Sequence, residues 1–271
     1  MTRLAGSPAS PGLLARLAGL VLVLACASGA RASELDLTRF VTREGSTYTL
    51  DEPALVKSFA SIVTSLRPAF GATGGTTGAR GLALEVAWAW TPIDTDAWRS
   101  DAPPDSLSGF HVEARKGLPA GLEVAAALSH ASALDMTQAS FALRWSWLEG
   151  TPGLPELGMR LDGGAILGHP QVSLFTVGLE LVAGYPVPVA GLFRLAPYLG
   201  YAFRFARSIE RRIAILDGVS ADPFVTSLPG QNVFANQALI GLRIGARPLD
   251  LGIEASLGTT VGLVVQVGAK L

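Results

Sequence analysis

From about residue 80 to residue 271, large apolar residues alternate with small or polar ones, strand after strand. The first such stretch runs Gly81-Leu82-Ala83-Leu84-Glu85-Val86-Ala87-Trp88-Ala89-Trp90. Leu82, Leu84, Val86, Trp88 and Trp90 fall on one face, and Gly81, Ala83, Glu85, Ala87 and Ala89 on the other. A period of two means a β-strand with two unlike surroundings. A bulky face ending in paired tryptophans, backed by a thinly charged face of small residues, suits lipid outside and a crowded lumen inside. The same alternation predicts ten strands, near 80–91, 108–116, 121–130, 137–148, 156–167, 174–185, 192–207, 233–246, 249–257 and 260–271. Phe110, Val112, Leu128, Phe141, Leu179, Leu199, Ile240 and Val265 are among the residues expected to face outward. The expected fold is all-β: a closed antiparallel transmembrane β-barrel of about ten strands with a short N-terminal amphipathic helix.

The connections support an even strand count. Those at 92–107 and 208–232 are long, whereas 117–120, 186–191 and 247–248 are short. With ten strands both long loops fall at one end, as bacterial barrels place long loops outside and short turns in the periplasm. The 208–232 loop is therefore expected at the cell surface, where a partner would meet it. The two-residue connection at 258–259 is unusually short for that end.

Residues 33–79 break the alternation. Leu55, Val56, Phe59, Ile62, Val63 and Leu66 recur at three- and four-residue spacing, Pro53 sits in the first turn, and Arg67-Pro68 ends the run. This predicts an amphipathic helix near 53–66, followed by a Gly- and Thr-rich link over 71–81. The helix is expected to close the periplasmic mouth or to insert partly, with a full plug of the lumen as the alternative. Further upstream, Arg3 and Arg16 precede the apolar run Leu17 to Ala27, and Ala30-Arg31-Ala32 supplies a small-x-small cleavage pattern. The expected organisation is a signal peptide over 1–32, the N-terminal extension over 33–79, and the barrel over 80–271. Lipidation at Cys26, within Val23-Leu24-Ala25-Cys26, is the alternative to cleavage after Ala32.

Composition narrows the class. Hydrophobic residues make up 49% of the chain and charged residues 16%, the latter below the usual share of about 25%. With no long apolar run after the signal, that apolarity belongs to strands. A net charge of −1 without a basic stripe argues against a nucleic-acid partner. The charges expected to line the lumen are Glu85, Glu113, Arg115, Glu123, Arg144, Arg160, Asp162, Glu180, Arg194, Arg204, Arg243, Asp250 and Glu254. Because buried charges persist when paired, a ladder of ion pairs is the first reading and a charge-selective permeation path the second. His130 and Asp135 in one loop, with Asp94 and Asp96 in another, are the ingredients a hydrolase would need around one water. His111, His130 and His169 lie far apart, without the spacing of a metal site. No enzymatic activity, metal or cofactor is expected.

Gly81-Leu82-Ala83-Leu84-Glu85-Val86, the hairpin His111-Val112-Glu113-Ala114-Arg115-Lys116-Gly117-Leu118-Pro119-Ala120-Gly121-Leu122, and the later Pro197-Tyr198-Leu199-Gly200 carry a likeness. Over roughly 53–271 the chain resembles an uncharacterised family of bacterial outer-membrane β-barrel proteins with a short N-terminal helix and a Gly-rich link. The resemblance implies a barrel and implies no activity. Many such barrels end in Phe, whereas this chain ends Ala269-Lys270-Leu271, a departure that bears on recognition by the insertion machinery. The expected protein is an integral outer-membrane barrel of a diderm bacterium, structural or surface-interacting, with a largely filled polar lumen. Its expected partners are outer-membrane lipid, the barrel insertion machinery and an unidentified surface ligand. A small channel for polar or lipidic solutes is the alternative, and an outer-membrane hydrolase the remote one.

Overall fold

The computed structural model describes residues 35–44, 47–68, 76–98, 103–148, 154–169, 171–189, 193–209, 211–215, 224–246 and 248–271. The expected signal peptide over 1–32, with Cys26, and the first part of the Gly-rich link lie outside them.

Alternation becomes architecture in ten strands: β3 (Leu82–Pro92), β4 (Ser106–Gly117), β5 (Leu122–Ala131), β6 (Met136–Ser146), β7 (Glu156–Leu167), β8 (Leu174–Gly184), β10 (Phe193–Ser208), β13 (Asn232–Ala246), β14 (Leu249–Gly258) and β15 (Gly262–Lys270). Each pairs antiparallel with its neighbour, β15 pairs with β3, and β10 pairs with β13, so the sheet closes on itself without a free edge. Every strand end lies within two residues of the boundary read from the sequence. The strands hold 9 to 16 residues, enough for a tilted crossing, which takes about 9–11. No described helix is long and apolar enough to cross a membrane. The crossing is made by strands.

Outward positions are exposed and apolar around the whole wall: Leu128, Phe141, Leu161, Val177, Leu199, Ile240 and Ile253 are examples. Aromatic residues gather toward both rims. Trp88, Trp90, Phe203 and Phe234 stand near the long-loop end, and Trp145, Trp147, Tyr185 and Phe193 near the short-turn end. Such belts sit where an amphipathic ring meets the headgroup region. Leu179 lies in this lipid-facing band and Gly178 behind it, toward the lumen. Leu179→Arg is expected to cost about 2–4 kcal/mol in bilayer refolding, the penalty for an arginine at mid-depth. Gly178→Ala acts differently, since its Cβ would stand 2.6 Å from Asp162 Oδ2 and 2.9 Å from Arg204 Nη2. Varying bilayer thickness separates the two: only the Leu179 penalty should respond.

Smaller elements extend this frame. A 3-10 turn (Leu37–Phe40) leads into a hairpin of β1 (Val41–Glu44) and β2 (Thr47–Leu50). Helix α1 (Glu52–Ser65) follows, started by Asp51, whose side chain accepts from Ala54 N at 3.2 Å. Strand β9 (Val187–Val189) pairs with the start of β10, and β11 (Arg211–Ile215) pairs with β12 (Phe224–Leu228) inside the longest loop. None of these short strands was apparent in the sequence pattern. With three to five residues each, they are too short to display a period.

Candidate functional site

Strand parity turns most charged side chains of the ten strands into the lumen, where a buried charge needs a partner. The structure provides one in a connected chain. Arg204 lies 3.7 Å from Glu180 and 3.1 Å from Asp162. Arg160 lies 3.8 Å from Asp162 and 2.7 Å from Glu113. Arg115 lies 3.8 Å from Glu113 and 3.0 Å from Glu85. Arg243 lies 3.6 Å from Glu85 and 3.2 Å from Asp250, and Lys270 closes the run at 3.8 Å from Asp250. Signs alternate at every step, so each charge has opposite neighbours within the low-dielectric interior.

Two further pairs stand nearer the short-turn mouth. Arg144 meets Glu123 at 3.1 Å, and the other side of Glu123 accepts from Thr77 N at 2.6 Å. Arg194, half exposed at the rim, pairs with Glu156. The charges named from the sequence are buried within the barrel except Arg194 and Asp250, which lie toward the opening.

The chain of charges has one member that no strand supplies. Arg67, just past α1, is 2% exposed, with Nη1 3.0 Å from Glu180 Oε1 and Nη2 on Glu254 Oε1. Tyr198 donates to the other Glu254 oxygen at 3.0 Å. In the sequence Arg67 reads as the end of a helix. The signal that could have found it is a charge balance. The inward carboxylates are Glu85, Glu113, Glu123, Glu156, Asp162, Glu180, Asp250 and Glu254. The inward cations of the strands are only Arg115, Arg144, Arg160, Arg194, Arg204, Arg243 and Lys270. Arg67 brings the eighth positive charge.

Helix α1 lies at the end opposite to the one expected. Leu55, Phe59, Ile62 and Leu66 are buried against Trp98, Leu107, Met136, Leu174 and Val233, all at or beside the long-loop ends of strands. Leu37 N donates to Gln171 at 2.8 Å, and Thr64 meets Thr260 at 2.7 Å, both from loops of that same end. A helix at the short-turn mouth is incompatible with these contacts. The physical reason is the wall itself: inward positions at the long-loop mouth are apolar, whereas those at the other mouth are charged and small. The apolar stripe of α1 can be buried only at the former. From there the chain passes Arg67 in the lumen and reaches Thr77 and Gly81 at the short-turn mouth, where β3 begins.

The hydrolase candidates do not meet as a site. Asp94 accepts from Lys57 of α1 and caps its own turn through the N–H groups of Asp96 and Ala97. These bonds, the Lys57 contact foremost, hold its carboxyl below the usual value. Asp96 is exposed in that turn. His130 faces outward from β5 and bonds Thr137 at 3.1 Å, while Asp135 occupies a left-handed turn with φ of 50°. His111 is buried in the lumen against Ser129 at 2.7 Å, and His169 Nδ1 accepts from Gln171 N at 3.2 Å in another loop. Among the described residues, no three His, Cys, Asp or Glu side chains gather as a metal site would require.

No protein-family profile matches the chain, and no curated protein does. Solved structures similar to it include the beta domain of the Bordetella autotransporter BrkA, at 10% identity over 71% of this chain and 98% of that one, with a TM-score of 0.38. Ail, the attachment invasion locus protein of Yersinia pestis, shows 11% identity over 73% and 100%, with a TM-score of 0.26. The transport unit of the autotransporter AIDA-I from Escherichia coli shows 9% identity over 80% and 96%, with a TM-score of 0.31.

Proposed function

We propose that this protein is an integral barrel of the outer membrane of a diderm bacterium, with a lumen closed to solutes and a long-loop end that meets a partner at the cell surface. Its surroundings would be outer-membrane lipid, reached through the barrel insertion machinery. The observation that carries the reading is an alternating run of ion pairs across the lumen, which the protein's own N-terminal segment joins at Arg67. A conduction path needs groups free to exchange partners with a passing solute, and here each buried charge is held by fixed ones. The capped long-loop end, with its β11–β12 hairpin, presents the larger loop surface. This reading assigns no catalysis to the barrel.

Planar-bilayer recording on the full-length protein tests it. No discrete conductance steps are expected across ±100 mV of applied potential, on the order of 2.3 kcal/mol per unit charge. Regular, ion-selective steps from the unaltered protein would overturn the closed-lumen reading and leave the small polar-solute channel in its place.

A further inference from the structure

Among the described residues, Arg67 is the one cation of the buried network that comes from outside the barrel wall, yet its place is built from residues of the wall. Glu180 is on β8 and Glu254 on β14, separated around the barrel by β10 and β13. The register explains how they converge. Tyr198 of β10 is opposite Gly241 of β13, which is opposite Glu254 of β14. A Cβ at Gly241 would run into the Tyr198 ring, so glycine there lets the ring lie across β13 and deliver its hydroxyl to Glu254 at 3.0 Å. Glu254 is thereby held from within the wall at one oxygen, while the other meets Arg67. Glu180, fully buried, is steadied from its own side by Arg204 at 3.7 Å, and its Oε2 has no hydrogen-bond partner.

We propose that Glu180, Glu254 and Tyr198 form a guanidinium-binding site in the barrel wall, which Arg67 occupies in cis and which accepts a free alkylguanidinium once Arg67 is removed. Three features select this chemistry. The wall carries one carboxylate more than its cations, so the site calls for a single positive charge. Two carboxylates engage different nitrogens of one planar fork, which a guanidinium presents and an ammonium does not. A neutral ligand of the same shape would leave both carboxylates buried without a counter-charge. Arg67 is thus the site's built-in occupant.

The test uses the full-length chain in detergent. Arg67→Ala should lower the melting midpoint by roughly 10 °C, as expected for a broken buried pair in a chain of this size. Ethylguanidinium, stepped over about three decades of concentration below the denaturing range, should restore more than half of that loss in a saturable way. Ethylammonium or sodium chloride at equal concentration should not. Tyr198→Phe in the Arg67→Ala background should weaken the apparent affinity by about tenfold, and Glu254→Gln in that background should abolish the rescue. If Arg67→Ala does not fold, refolding yield with ethylguanidinium against ethylammonium is the readout, with the same expected preference. Wild-type melting for Arg67→Ala, no response to ethylguanidinium, or equal rescue by ethylammonium would each overturn the proposal.

Discussion

Replacing Arg160 with Met should destabilise the folded barrel by about 3–5 kcal/mol, the usual cost of removing one partner from a buried ion pair. Arg160 is 0% exposed and stands between Glu113 at 2.7 Å and Asp162 at 3.8 Å, so its loss breaks the alternation and leaves Glu113 to Arg115 at 3.8 Å and Asp162 to Arg204 at 3.1 Å. Met keeps much of the volume, which makes the charge the principal thing removed. Arg194→Met supplies the contrast. Its side chain is 40% exposed at the rim, although that of its partner Glu156 is 4% exposed. That cost should be smaller, about 1–2 kcal/mol, because the guanidinium removed is already partly hydrated in the folded state. Urea unfolding in lipid vesicles measures both. Equal losses for the two variants would mean that the lumen is as wet as the rim, and the ion-pair account of its rigidity would fail.

Phe59→Ala should cost a comparable 3–5 kcal/mol, from lost burial and the cavity left behind. Phe59 is 2% exposed in the cluster that fastens α1 to the long-loop mouth. Phe141, at 75% exposure, points from β6 into the lipid band. Its truncation leaves no internal cavity and should cost much less. Thermal melting in one detergent compares the two, and proteolysis of the N-terminal segment should accelerate only for Phe59→Ala. If both variants melted alike, α1 would be resting on the mouth rather than packed into it.

The barrel was legible in the sequence because a strand between lipid and a packed lumen must alternate, and ten did so in one register. Pro53 and the apolar spacing likewise placed α1 within a residue of its observed start. Its position was not read, since an amphipathic stripe says that something covers it but not where. The clue lay in the strands. Leu107, Met136, Ile166, Leu174, Ala206 and Val233 all hold inward positions at the same end, and all are apolar where a lumen should be polar. Read as a ring, they mark the mouth that receives the helix. Arg67 stayed hidden for a related reason: it is remote in sequence from Glu180 and Glu254, and only the odd tally of lumen charges points to it.

The passage of the chain through its own barrel constrains assembly. The segment before β3 leaves from one end of the ring, whereas Leu271 is paired with Leu82 at the other. The seam between β3 and β15 therefore encircles a stretch of the same polypeptide. A closed ring can acquire such a stretch only by threading, and a helix with a hairpin attached is a bulky thing to thread. An open, curling sheet that wraps α1 before its first and last strands meet avoids that step. In that order the lumen's charges find their counter-ions while the sheet is still open, and closure of the seam becomes the event that locks the N-terminal segment inside.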